Sequence, residues 1–361
     1  MHIKQLDSLR GLASLIVLFG HYSVLFPKIR EYFDNTFFAL FFNGSVGVRF
    51  FFVLSGFVLS IRFFNGKDIC FNVFILKRFF RLYIPYLISF IFAILLYNLL
   101  SKNGIPELGN WFNCAWTTPL DFLTFIKHIL FIINFDYGQY NPVYWTLVME
   151  MRISIIFLLL VFFLKKYSSF VNFLVWELVV IIVLFFNKSF AFQVDYLNTF
   201  SFLLNFILGI LLVKHREEIH NFYLNNNIFA KFIFILIMLF LLRYSKEILS
   251  YFSIYTTFTY YLLTGIGSSI LIIYSLNSEI LKKFLLFKII HFIGKISYSL
   301  YLLHAIVLYS FIYLFYGYVN NYFIALLSFV FSIFLSYIFY TYVELKSINI
   351  GIKVINKYEY K

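Results

Sequence analysis

The chain has 361 residues, of which 62% are hydrophobic, 24% aromatic and only 12% charged, and its mean hydropathy is +0.89. An average soluble domain is about a quarter charged. The composition therefore excludes a water-soluble globular protein and predicts an all-α, polytopic transmembrane bundle. The net charge of +13 would suit a nucleic-acid binder, but in a membrane protein it indicates basic cytoplasmic loops beside anionic lipid. We therefore expect membrane lipids, and no nucleic acid, as partners.

Ten apolar stretches approach the roughly 20 residues that a membrane-spanning helix needs. They are residues 9–27, 37–60, 79–100, 143–164, 169–187, 198–213, 228–243, 254–275, 296–316 and 321–343. A shorter stretch, 122–135, is interrupted by Lys127 and His128, so we expect it to be re-entrant or interfacial. The loops are short and no linker interrupts the chain, which predicts one integral domain over residues 1–361.

Charge predicts the orientation. With both termini in the cytoplasm, 19 of the 29 Lys and Arg residues lie inside and seven lie outside, as the positive-inside bias requires. If 122–135 were a full span, everything after it would be reversed, and the basic segments 164–167 and 214–217 would face outward. We therefore expect about ten spans and two cytoplasmic termini.

The first apolar stretch carries ionisable residues, which are costly inside a membrane. Arg10 and His21 are 11 residues apart, which in an α-helix is about 16 Å and about three whole turns, so the two side chains share a face. Asp7 and Ser14 lie on that face too. Because ionisable groups in a span usually face a cavity, the stripe predicts a functional site. The alternative is an arginine that snorkels to the interface and a structural histidine.

The third span begins with a basic cluster at its cytoplasmic end. Lys77, Arg78 and Arg81 fall within eight residues of Pro85. Arginine binds phosphate through paired donors, so the cluster predicts a phosphate site, the alternative being the positive-inside signal alone. Pro85 predicts a kink that frees backbone carbonyls.

The second span combines small residues with an arginine. Gly47, Ser55 and Gly56 in a Phe-rich helix predict that another helix approaches closely. Arg49 near the outer end is expected to hold hydroxyls or a phosphate of an acceptor, or to anchor the helix at the interface.

Two later spans carry polar side chains as well. Glu150 would be protonated or paired in a membrane, and it could orient His21, bind a substrate hydroxyl or form a structural pair with an arginine. Tyr301 and His304 belong to one polar stripe of their helix, where a hydrogen-bonded structural histidine and a functional one are both open.

Five segments resemble, in order, the motifs of acyltransferase family 3, bacterial integral-membrane O-acyltransferases that acetylate O-antigen, peptidoglycan, capsule and other glycans. They are LDSLRGLASLIVLFGH, GVRFFFVLSGFVLS, KRFFRLYIPY, YWTLVMEMRI and ISYSLYLLH. The Arg-(ten residues)-His pattern, met by Arg10 and His21, is the most specific, and Arg78 and Arg81 meet the Arg-x-x-Arg pattern. The resemblance covers nearly the whole chain and implies the stand-alone form, without the esterase-like domain of some relatives.

The resemblance implies transfer of an acyl group, usually acetyl, from cytoplasmic acyl-coenzyme A to a hydroxyl of a cell-surface glycan or lipid-linked saccharide, at the bacterial cytoplasmic membrane. A neutral imidazole is the usual base near pH 7, so His21 is the expected base or acyl-accepting centre. The residues expected to take part are, for catalysis, His21, Glu150 and Asp7; for acetyl-CoA, Arg10, Arg78, Arg81, Lys77 and Ser14; and for the acceptor, Arg49, Ser55, Tyr301 and His304.

Three other functions fit parts of the pattern. A transporter or flippase for a lipid-linked glycan would also line its path with charge, but the sequence has no internal repeat that would favour it. A metal site of His21, His304 and Glu150 lacks any HxxH-type spacing, so we expect no metal. A structural or sensory protein would leave the surface glycan unchanged when Arg10 or His21 is replaced.

Overall fold

Helices make up nearly all of the chain in a computed structural model that describes residues 3–66, 70–100, 104–172, 174–179 and 195–359, and these ranges contain no strand. The α-helices are α1 (Lys4–Leu25), α2 (Pro27–Phe33), α3 (Gly44–Phe64), α4 (Phe71–Arg78), α5 (Ile84–Leu100), α6 (Gly109–Asn113), α7 (Phe122–Leu130), α8 (Tyr144–Lys166), α9 (Ser169–Val179), α10 (Asp195–Lys214), α11 (Arg216–Asn225), α12 (Ile228–Tyr251), α13 (Thr257–Asn277), α14 (Glu279–Leu285), α15 (Lys288–Lys295), α16 (Ser297–Phe315), α17 (Asn321–Phe339) and α18 (Leu345–Glu359).

Eight helical segments of the described residues are long and apolar enough to cross a membrane. They are Lys4–Leu25, Gly44–Phe64, Phe71–Leu100, Tyr144–Lys166, Ile228–Tyr251, Thr259–Asn277, Ser297–Phe315 and Asn321–Lys357. A ninth is formed if α10 and α11, which meet at an angle of 72°, are counted as one bent span. The predicted all-α, multi-pass membrane fold is confirmed.

The predicted spans differ from the observed helices in three places. Of the span expected at 169–187, α9 covers the first part, and the remainder extends beyond the described residues. The helix expected at 37–60 begins only at Gly44, because Phe37–Phe42 forms a separate 3-10 helix. The segment 122–135 contains only the nine-residue helix α7, about 13 Å long, which is too short to cross a membrane, as predicted.

Two π-helical turns continue the helices of the third and last predicted spans beyond their predicted ends. Phe79–Tyr83 joins α4 to α5, and Tyr340–Glu344 joins α17 to α18. The helices therefore continue beyond the boundaries predicted at residues 79 and 343, through positions where the hydropathy falls.

The helix is irregular near Pro85, as expected, and the irregularity is the first π-turn, Phe79–Tyr83. Proline has no N–H and its ring crowds the carbonyl four residues earlier, and the wider π-turn ends at Tyr83, two residues before Pro85. Side chains bind two carbonyls of this turn: Ser347 Oγ donates to Phe80 O at 2.5 Å, and the Tyr298 hydroxyl donates to Leu82 O at 2.8 Å.

The fold consists of two units. The first comprises Met1–Ile16, Phe37–Ile69 and Ile155–Lys295, and the second comprises Val17–Thr36, Cys70–Ser154 and Ile296–Lys361. Within the first unit, α3 and α10 touch through glycines. A Cβ on Gly56 would lie 2.2 Å from Phe206 O, and one on Gly209 would lie 2.1 Å from Val53 O. The close helix approach predicted at Gly56 is confirmed.

Replacing Gly56 by alanine is expected to lower the free energy of unfolding by about 1–3 kcal/mol, because the added methyl group meets backbone that cannot rotate away. Thermal unfolding in detergent measures the effect. Gly138→Ala is the control, since its Cβ would meet Asp136 Oδ1 at an ordinary 3.5 Å. An unchanged melting temperature for Gly56→Ala would show that α3 and α10 can separate at little cost.

Within the second unit, α7 packs on α5 through His128. The ring of His128 stacks on Phe90 with the centroids 4.1 Å apart, and its Nδ1 lies 2.9 Å from the Tyr86 hydroxyl. Burial lowers the pKa of His128 to about 3, so the ring is neutral near pH 7. Its contacts hold α7 against α5, whereas the sequence analysis took it only as an interruption of an apolar stretch.

Candidate active site

The polar stripe of the first helix is made of residues with close local partners. Arg10 Nη1 lies 3.2 Å from Asp7 Oδ1, and Ser14 Oγ donates to Gly11 O at 2.7 Å. His21 lies 14 positions after Asp7 on α1, about 21 Å along the helix. Asp7, which was expected to take part in catalysis, is therefore too far away to orient His21, because a carboxylate on a helix reaches only the neighbouring turn.

A pair of histidines forms the centre of the candidate site. Nδ1 of His21 on α1 lies 3.0 Å from Nε2 of His304 on α16, and the ring centroids are 5.1 Å apart. His304 is fully buried, whereas His21 is half-buried. The other nitrogen of His304, Nδ1, lies 2.9 Å from the backbone oxygen of Leu300, one turn earlier on α16. Carbonyl, imidazole and imidazole thus form one hydrogen-bonded chain.

The backbone carbonyl of Leu300, at one end of this chain, determines which nitrogen donates in each hydrogen bond. A carbonyl oxygen can only accept, so Nδ1 of a neutral His304 carries the proton and its Nε2 holds a lone pair. That lone pair accepts from Nδ1–H of His21. In a neutral His21 the proton is therefore on Nδ1, and Nε2 is a proton acceptor. His304 thus provides the bond to Nδ1 of His21 that the sequence analysis left open for Glu150.

Aromatic and hydroxyl side chains of the second unit surround the pair. The indole of Trp111 on α6 lies 4.9 Å from the His21 ring, and the Tyr309 hydroxyl donates to Trp111 O at 3.2 Å. The Tyr301 hydroxyl lies 2.7 Å from Thr146 Oγ1. Sequence reasoning missed Trp111, because nothing in its spacing connects an extramembrane tryptophan with a histidine 90 residues earlier.

Glu150 pairs with Arg78. Nη2 of Arg78 bonds to Glu150 Oε1, and Nε donates to Ser154 Oγ at 3.1 Å. The side chain of Arg78 is 7% exposed and that of Glu150 is 20% exposed. Of the alternatives that the sequence left open for Glu150, the observed contact is the structural pair with an arginine. The pair holds the guanidinium in one orientation.

The other two cations of the basic cluster are more accessible. Arg81 lies on the π-turn and is exposed, whereas Lys77, on α4, is half-buried. Because the turn between them is π-helical, the three cations of the cluster do not follow the spacing of a regular α-helix. The sequence pattern predicted the cluster but not this geometry.

Arg49 is buried in the first unit between two tyrosine rings. Its guanidinium carbon lies 4.0 Å from the ring centroid of Tyr260 and 4.1 Å from that of Tyr261. Among the described residues, its Nε and Nη1 have no hydrogen-bond partner. Desolvated cation–π contacts contribute about 2 kcal/mol or more, so the rings stabilise the charge. Ser55 is half-buried on the same helix, α3.

The expected site residues divide between the two units. His21, His304, Tyr301, Glu150, Arg78, Lys77 and Arg81 belong to the second unit, and Asp7, Arg10, Ser14, Arg49 and Ser55 belong to the first. The alternative of a metal site gains no support, since no group of three His, Cys, Asp or Glu side chains within the described ranges could hold a metal ion.

Spanning helices that place a hydrogen-bonded histidine pair among buried side chains define a multi-pass integral membrane protein with a polar centre. A family model described as an acyltransferase domain matches residues 3–341, nearly the whole chain. The chain belongs to acyltransferase family 3, and the protein is a membrane acyltransferase, as the resemblance of its motifs predicted. No curated protein and no solved structure matches it.

Proposed function

We propose that the protein is an O-acyltransferase of the bacterial cytoplasmic membrane. It transfers an acyl group, acetyl in the first instance, from cytoplasmic acyl-coenzyme A to a hydroxyl of a cell-surface glycan. The observation that carries the proposal is the hydrogen-bonded chain from Leu300 through His304 to His21, because it provides a base of the kind that activates a hydroxyl.

The chemistry needs one base that is also an acid. The hydroxyl oxygen of the glycan bonds to the carbonyl carbon of the thioester while Nε2 of His21 takes the hydroxyl proton. The carbon–sulfur bond then breaks, and the same nitrogen returns the proton to the leaving coenzyme A thiolate, so His21 ends as it began. During this cycle His304 Nε2 accepts from Nδ1–H of His21, which holds the ring in place and stabilises the imidazolium.

The donor phosphates are assigned to the basic residues Arg10, Lys77, Arg78 and Arg81, with Ser14 beside Arg10. Ser154 and Glu150 accept from two nitrogens of Arg78, Nε and Nη2, and so fix the orientation of its guanidinium. The roughly 16 Å of helix between Arg10 and His21 is about the reach that the pantetheine arm needs. The acceptor is assigned to Arg49, Ser55, Tyr301 and His304.

Transfer of radiolabelled acetyl from acetyl-CoA tests the proposal. Membranes that contain the protein are expected to move label into an extractable glycan, and deletion of the gene is expected to remove an O-acyl signal from the NMR spectrum of the surface polysaccharide or peptidoglycan. A transporter or flippase would show no acetyl turnover. Unchanged glycan spectra together with no turnover would overturn the proposed function.

Replacing His304 by alanine is expected to lower kcat by about 10- to 100-fold with little change in KM, because His21 loses the acceptor that holds its Nδ1–H. His304→Gln is the matched variant, since its amide oxygen can accept the same hydrogen bond and should restore part of the rate. Steady-state kinetics with labelled acetyl-CoA distinguish the two. Equal rates for the alanine and glutamine variants would mean that His304 only fills space.

A further inference from the structure

A separate cavity lies within the first unit, among α11, α12 and α13. Its volume is about 470 Å³, within the range of about 300–1,000 Å³ that is usual for small-molecule sites. It is lined by Glu218, Ile219, Phe222, Tyr223, Asn226, Lys231, Phe234, Ile270, Ile273 and Tyr274. Most of these side chains are aromatic or aliphatic, so the interior suits a hydrocarbon chain better than a sugar or a nucleotide.

The helices around the cavity place it at the edge of a membrane. The chain bends by 72° between α10 and α11, so α11 runs across the direction of α10. Ile219, Phe222 and Tyr223 share one face of α11 and line the cavity, whereas Glu217, Asn221 and Asn225 lie on the opposite face. A short amphipathic helix of this kind lies in the boundary between headgroups and acyl chains.

The lining contains one cation, Lys231, beside the polar side chains of Glu218 and Asn226. Lys231 Nζ lies 4.6 Å from the ring centroid of Tyr223, and no ion pair joins it to a carboxylate of the described chain. The carboxylate of the lining, that of Glu218, is bonded to His215 Nδ1 at 2.8 Å. An ammonium in the lining of a largely apolar cavity is complementary to a ligand that joins an anionic group to a hydrocarbon chain.

We propose that this cavity binds one acyl chain of a membrane glycerophospholipid whose phosphate contacts Lys231. The apolar walls exclude inorganic phosphate alone as the occupant, since it would leave them unfilled. The interfacial position of α11 favours a lipid that diffuses in from the bilayer. The lipid would fill the groove between α11 and the two spanning helices α12 and α13, and thereby hold α11 against them.

Photocrosslinking tests the proposal on the full chain in nanodiscs. A phosphatidylglycerol or phosphatidylethanolamine probe with a diazirine in one acyl chain is expected to label Phe222, Phe234, Ile270 or Ile273 preferentially, as mapped by mass spectrometry of peptides. Lys231→Gln is expected to lower this labelling about fivefold. Lys246→Gln is the matched control, because Lys246 is an exposed lysine at the other end of α12 and should leave the labelling unchanged.

Three outcomes would overturn the assignment. Labelling spread evenly over the lipid-facing helices would show annular lipid only. Equal labelling of the wild type and Lys231→Gln would remove the role of the ammonium. Displacement of the probe by excess acyl-coenzyme A, with a diazirine-bearing acyl-coenzyme A labelling the same residues, would assign the cavity to the donor instead.

A second variant tests the cavity itself. Ile273→Trp, which narrows the cavity from α13, is expected to abolish specific labelling.

Discussion

Replacing His21 by alanine is expected to lower the rate of acyl transfer by about 10²–10⁴-fold, the usual contribution of a general base. The imidazole of His21 is half-buried, and His304 keeps its hydrogen bond to Leu300 O when that imidazole is removed. We therefore expect the variant to keep the position of α16 and the fold. The rate is measured as transfer of radiolabelled acetyl from acetyl-CoA by membranes that contain equal amounts of protein.

His220→Ala is the matched control for this variant. His220 is an exposed histidine on α11 with Nδ1 against Asn277 Oδ1, and it belongs to neither the histidine pair nor the basic cluster. It should transfer acetyl at the full rate. A size-exclusion profile of each purified variant separates lost chemistry from lost fold. Near-normal transfer by a folded His21→Ala protein would remove His21 from the mechanism.

Replacing Arg78 by alanine is expected to lower the free energy of unfolding by about 3 kcal/mol, the lower end of the range for breaking a buried ion pair. The variant leaves the carboxylate of Glu150 without its charge partner and Ser154 Oγ without its donor. The lower end applies because Glu150 keeps 20% of its side chain exposed, so water compensates part of the loss. Chemical or thermal unfolding in detergent measures the effect.

An exposed ion pair provides the comparison. Lys282 Nζ lies 3.2 Å from Glu279 Oε1, but the two side chains are 41% and 73% exposed, so Lys282→Ala should cost less than about 1 kcal/mol. Replacing Arg78 by methionine together with Glu150 by leucine should recover most of the stability lost in Arg78→Ala, since no charge is then left unpaired. If Arg78→Ala and Lys282→Ala have equal effects, the Arg78–Glu150 pair is solvated and structurally unimportant.

Hydropathy located most spanning helices because a membrane requires a long apolar run wherever a helix crosses it. It did not show where a helix continues past the apolar run. The third span was predicted to begin at residue 79, yet residues 71–78 are helical too, and Arg78 is neutralised by Glu150 from α8. The partner that makes such a residue tolerable lies 72 positions away, and a local window of sequence does not contain it.

The same limit applies to the site. The 3.6-residue period of an α-helix was enough to select Arg10 and His21 as residues of one face, and it placed Tyr301 and His304 on another. It did not show that His21 and His304 are bonded, since 283 residues separate them. Glu150 and Asp7 were expected to take part in catalysis with His21, but Asp7 is bonded to Arg10 and Glu150 to Arg78.

By itself, the amino-acid sequence determined that the protein is an all-α membrane protein, which family it belongs to and which imidazole is the candidate base. These properties depend on composition and on spacing within one helix, so they can be read locally. Only the tertiary structure decided which groups meet: His304 with His21, Glu150 with Arg78, and the tyrosine rings with Arg49. The physical reason is that hydrogen bonds and ion pairs act over about 3 Å between helices, and helix packing, rather than position along the chain, sets those distances.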